Sequence, residues 1–183
     1  MNSTLYALCH KPAIGATLWI SSLCAFPPLL NSTAVHLDKP GTILLAEFDV
    51  PVSKSYFMYL NHTFKSNVER LKDTLVGARY DVPCYGKDAK TVEDFPTEKQ
   101  GDLGRPVQLH ITIRKLPEKS AVIEKVFASI CPGGHDGNTR ISQIIGLVEL
   151  QQGAYLIEVE NEVARPDFSE IKSDFMIAGG GDK

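Results

Sequence analysis

The stretch richest in reactive side chains is Gly133-Gly-His-Asp-Gly137, where His135 and Asp136 stand side by side and Arg140 follows closely. An imidazole beside a carboxylate can act as a general base, and a nearby guanidinium can hold an anion. Gly, Asp and Asn are also what tight turns require, and this segment reads first as a turn. The chain contains neither a GxSxG elbow nor a phosphate-binding glycine loop. Asp38, Glu47 and Asp49 gather carboxylates near the first strand without the spacing of a calcium loop. Cysteines and histidines lack CxxC or HxxxH spacing. The expectation is therefore no catalytic residue, no cofactor and no metal: a protein that is not an enzyme.

Four cysteines occur, two of them (Cys9 and Cys24) near the N-terminus. Cys84 and Cys131 remain as an even pair in loop-like sequence, Val82-Pro-Cys-Tyr-Gly86 and Ile130-Cys-Pro-Gly-Gly134. In an oxidising compartment such a pair reads as a disulfide. Closing a loop of that length would stabilise by roughly 3–5 kcal/mol, less any strain. Asn-x-Ser/Thr triplets begin at Asn2, Asn31 and Asn61, and they carry meaning only in a glycosylating host.

The compartment is suggested by the N-terminus. Among the first 34 residues only Lys11 is charged, and Ala13–Phe26 is an apolar run closed by Pro27-Pro28. A basic start, a short apolar run and the small residues Ser32-Thr33-Ala34 form a secretory signal over 1–34, with Leu23-Cys24-Ala25 as a second exit. The alternative is a membrane anchor, which needs about 20 apolar residues and would have to run through the two prolines. Without that segment the chain carries 18 Lys/Arg against 22 Asp/Glu, net −4, which offers no footprint for a nucleic-acid backbone.

The elements that would position these residues are strands. Val107, Leu109, Ile111 and Ile113 alternate with Gln108, His110, Thr112 and Arg114, the period of a half-buried strand. Similar stretches cover 42–50, 55–64, 121–130, 141–150, 155–160 and 171–178. One short helix is expected after Ser66, where Ser-Asn-Val-Glu69 fits a capping box and Val68, Leu71, Leu75 and Val76 make an apolar stripe. Residues 80–104 read as a long polar loop, and 131–138 as a second loop. Seven strands with regular turns argue for an antiparallel β-sandwich of immunoglobulin or jelly-roll type. Tyr155, after Gly153, is placed as a tyrosine corner. The expected division is leader 1–34, linker 35–41, sandwich 42–178 and tail 179–183.

Several of these stretches resemble a bacterial domain family of unknown function, DUF5625. The resemblance rests on Arg105-Pro-Val-Gln-Leu-His-Ile-Thr-Ile, Val122-Ile-Glu-Lys-Val and Ile144 through Leu150-Gln-Gln-Gly-Ala-Tyr155. Glu158-Val-Glu, Phe175-Met-Ile, Glu47-Phe-Asp-Val and Tyr56-Phe-Met-Tyr-Leu match as well. It implies an exported or lipid-anchored single domain, brings no catalytic residues, and does not include Cys84 or Cys131 in its pattern.

The functional expectation is an exported, periplasmic binding protein, or one held at the membrane with its domain outside the cytoplasm. Its partner would be a protein, such as a secreted toxin or an envelope protein, in the manner of an immunity-type inhibitor. Contact would come through loop residues: Tyr80, Tyr85 and Phe95, or His135, Asp136 and Arg140. The alternative is a carbohydrate or cell-envelope module using the same loop aromatics.

Overall fold

The computed structural model describes residues 27–76, 104–129 and 139–179, together with the backbone of 131–136. Among these residues nine strands form in chain order: β1 Leu30–Val35, β2 Gly41–Val50, β3 Lys54–Thr63, β4 Gln108–Lys115, β5 Ser120–Ala128, β6 Cys131–Asp136, β7 Arg140–Leu150, β8 Gly153–Asn161 and β9 Lys172–Gly179. A five-stranded sheet runs β1-β9-β3-β7-β6, and a four-stranded sheet runs β2-β8-β4-β5. Every pairing is antiparallel. The protein is an antiparallel sandwich, as its alternating sequence requires.

Alternation decides which side chains meet. Leu109, Ile111 and Ile113 of β4 and Tyr155, Ile157 and Val159 of β8 point inward from one sheet; Met58 and Leu60 of β3 and Phe175 and Ile177 of β9 oppose them from the other. Each such side chain contributes about 1.5–3 kcal/mol on burial. Gly146 of β7 leaves room for the Phe127 ring of β5, since a Cβ there would sit 2.6 Å from it.

Two chain crossings between the sheets share one device. Tyr56, opening β3, donates its hydroxyl to the Val52 carbonyl at 2.7 Å, and Tyr155, opening β8, donates to the Gln151 carbonyl at 2.9 Å. Both rings are buried, and each hydroxyl ties down the turn four residues upstream. The Gln152 amide donates to Ser53 Oγ at 2.9 Å and joins the two turns. Tyr155 is thus a tyrosine corner; the alternation leaves its counterpart Tyr56 unmarked.

Residues 30–35, which the sequence reading divides between leader and linker, form β1, with Leu30 and Val35 buried against β9. Two local expectations are corrected. The 131–138 loop contains strand β6. Pro132 is accommodated because β6 is an edge strand whose register shifts between Pro132 and Gly134. The helix, α1 Asn67–Lys72, has Ser66 Oγ accepting from the Glu69 amide at 3.2 Å as expected, but it is shorter than its stripe. Asp73 takes the amides of Leu75 and Val76 at 3.1 and 2.9 Å and ends it. Val76 therefore enters the core by leaving the helix, while Val68 and Leu71 stay 59% and 67% exposed.

Candidate functional site

Tyr80, Cys84, Tyr85 and Phe95 lie outside the described residues, as does the leader through Phe26. The proposed Cys84–Cys131 bridge therefore also falls outside them. Cys131 opens β6 and His135 and Asp136 close it, so the His–carboxylate pair sits on a sheet edge and not at a loop tip. Arg140, beginning β7, is engaged within the chain. Its Nη2 donates to both Asp174 oxygens at 2.9 and 3.2 Å and to Ser32 Oγ at 3.1 Å. Arg140 thus has a carboxylate partner within the chain.

Asp174 is the centre of a polar cluster on the outer face of the five-stranded sheet. Ser32 Oγ and Asn61 Nδ2 also donate to it, the latter at 2.9 Å, and Ser142 Oγ donates to Asn61 Oδ1 at 2.6 Å. The cluster links β1, β9, β3 and β7. Asn61 is buried, so the folded chain does not present the Asn61-His62-Thr63 triplet for modification. Asn31, in β1, is exposed.

Behind the cluster, on the inner face, lies His62, fully buried against the ring of Phe168. Its Nδ1 is 3.0 Å from Ser173 Oγ and its Nε2 is 3.2 Å from Gln143 Oε1. Gln143 donates its own amide to the Val76 carbonyl at 2.8 Å, which leaves Oε1 as an acceptor. His62 is therefore protonated at Nε2, and the Ser173 hydroxyl donates to Nδ1. Burial pushes the imidazole pKa down to about 4, against smaller upward effects of the Gln143 hydrogen bond and the Asp174 charge. A Ser–His contact is the unit of nucleophilic catalysis. Here both partners are buried, and the pair acts within the core. Sequence reading missed it because nothing near His62 signals partners 81 and 111 residues away.

The outer face of the four-stranded sheet carries both exposed apolar and exposed acidic side chains. Register places Leu45, Glu158, Thr112 and Glu124 in one row across β2, β8, β4 and β5. The next row holds Glu47, Leu156, Arg114 and Ala121; Glu160, His110 and Val126 lie on the other side. Glu158 pairs with Arg114 at 2.9 Å and Glu160 with His110 at 3.2 Å, so the outward His110 of the alternating strand has a carboxylate partner. Glu47, Asp49 and Glu124 add exposed carboxylates. Amid these acids Leu45 is 62% exposed, and Val122 and Val126 on edge strand β5 are 46% and 42% exposed. A separate depression of about 170 Å³, lined by Ser53, Lys54, Ser55, Glu149, Leu150 and Gln151, is smaller than pockets that enclose drug-sized ligands, about 300 Å³ or more. No group of three or more metal-ligating side chains occurs among the described residues. Nor is any helix there long and apolar enough to cross a membrane.

Sheet order and geometry together define an antiparallel sandwich domain. Residues 33–179 match a family described as a domain of unknown function, DUF5625, and the chain belongs to that family. A crystal structure titled GEBA250068378, from Sulfurospirillum deleyianum, shares the fold with a TM-score of 0.62. It is 21% identical and covers 85% of this chain and 99% of its own. No curated protein matches.

Proposed function

We propose that this chain is an exported, non-catalytic domain that works by binding a protein partner, in the manner of an inhibitor, through the outer face of its four-stranded sheet. The observation that carries this is that both edges of that face set an exposed apolar side chain beside carboxylates: Leu45 with Glu47 and Asp49 on β2, and Val126 with Glu124 on β5. Exposed branched apolar groups lose water favourably on contact, and surrounding charge selects a partner of opposite sign. The partner is accordingly a protein with a basic patch. The acidic balance of the chain speeds encounter with such a surface.

Capture from the exported fraction tests this. Wild-type protein should retain a discrete basic partner, with retention falling as salt rises, while the Glu47→Lys/Glu124→Lys variant should lose at least tenfold of it. Both positions are exposed, so the variant should fold normally. Equal retention by variant and wild type would remove the face from the account.

A further inference from the structure

We propose that strand β2 is the docking edge of this protein: an extended segment of the partner, alternating basic and apolar side chains, adds to it as a further strand of the four-stranded sheet. This names the mode of binding at the acidic face, and so rests on the reading of that face given above.

Every sheet edge leaves backbone N–H and C=O groups for another chain unless something blunts it. The edges here are β1 and β6 of one sheet and β2 and β5 of the other. Strand β1 has only six residues, with a register shift between Leu30 and Thr33. Strand β6 carries Pro132, which has no N–H to offer, and a register shift beside it. Strand β5 turns a charge inward. Lys125 stands opposite the fully buried Ile111, and its ammonium lies 5.5 Å from the centre of the Phe127 ring. A strand laid along β5 would meet that lysine on its apolar side, a known guard against edge pairing.

Strand β2 has none of these devices. It is ten residues long without proline, and after a register shift near Thr42 it pairs with β8 unbroken from Leu44 to Val50. Its inward positions there are all apolar: Leu44, Phe48 and Val50 are buried and Ala46 is partly so. Alternate residues of an antiparallel strand turn N–H and C=O away from their partner. Among the described residues no strand and no other backbone group takes up those of β2. The outward positions then select the occupant. Leu45, Glu47 and Asp49 are exposed, and side chains of an added strand stand directly opposite them. Basic groups there meet Glu47 and Asp49. A second copy adding through the same edge would set two carboxylate rows against each other, so the edge disfavours itself and favours a basic strand.

The experiment is residue-resolved amide hydrogen exchange on the full-length protein, alone and in excess of a short synthetic peptide alternating lysine and valine. A second peptide of the same sequence is N-methylated along its backbone, which keeps the charges and removes the donors. The first peptide should slow alternate amides between Leu44 and Val50 by roughly tenfold or more and leave β5 unchanged. The N-methylated peptide should have no such effect, nor should the first peptide on Glu47→Lys/Asp49→Lys. Both positions are exposed, and exchange in β4 of this variant reports that it is folded. Unchanged β2 amides in excess of the first peptide, slowing at β5 in their place, or equal slowing by both peptides would overturn strand addition. None of these results removes the acidic face as a docking surface; that reading falls only if Glu47→Lys/Glu124→Lys retains the partner as wild type does.

Discussion

Acidification from pH 7 to pH 4 should destabilise the folded domain by about 3 kcal/mol through His62 alone. The folded-state pKa of this buried imidazole is about 4, below its ordinary value of 6.5. Above pH 6.5 the ring is neutral whether the chain is folded or not, and the stabilising difference is fully present. As pH falls below 6.5 the unfolded chain takes up a proton that the folded chain refuses, so stability is lost until the folded ring also titrates near pH 4. About 2.5 pH units at 1.36 kcal/mol each set the size of the loss. Urea unfolding across this range checks it, with His62→Gln as control. That variant keeps a hydrogen-bonding side chain but has no proton to gain. Wild type should lose about 3 kcal/mol more than the variant between pH 7 and 4; parallel pH profiles would show that His62 is not held neutral by the core.

The second large effect is at the crossing turns. Tyr155→Ala should cost about 3–5 kcal/mol, because the ring stacks on Phe48 at 5.7 Å and is nearly fully buried. Tyr155→Phe should cost only about 1–1.5 kcal/mol, the value of the hydroxyl that ties the Gln151 carbonyl. Tyr56→Phe should match it, since the geometry of its bond to Val52 is the same in kind. Because Gln152 and Ser53 join the two turns, the double Phe variant should depart from additivity by about 0.5 kcal/mol or more. Chemical unfolding of wild type and the four variants measures all of this. Equal costs for Phe and Ala at position 155 would contradict the division between ring and hydroxyl.

How much of the fold the sequence displays depends on how local its cause is. Strand β4 announces itself because Leu109, Ile111 and Ile113 alternate with polar residues, and burial of one face needs only that period. Strand β1 does not, because its inward residues are reduced to Leu30 and Val35 at its ends with a register shift between them. Its small polar middle, which suits a sheet edge, has the composition expected of a signal exit and so reads as one in the sequence. Strand β6 hides behind Pro and Gly, which an edge tolerates and an interior strand does not. The stripe after Ser66 is apolar at helical spacing, yet the competing Asp73 side chain ends the helix before the stripe closes. The candidate face was half legible. The outward side of β4 was plain, but the acids of β2 and β8 reach it only through inter-sheet crossings that bring distant segments into register.

The most direct test of the account is a photo-crosslinking residue at position 45, at the exposed edge of the acidic face, compared with one at position 71 on the helix, in the full-length protein. Both sites are exposed to a similar degree, so access alone does not separate them. The account predicts one discrete adduct with a basic protein from position 45, abolished by Glu47→Lys/Glu124→Lys, and none from position 71. The same adducts from both positions, or none from position 45, would contradict it.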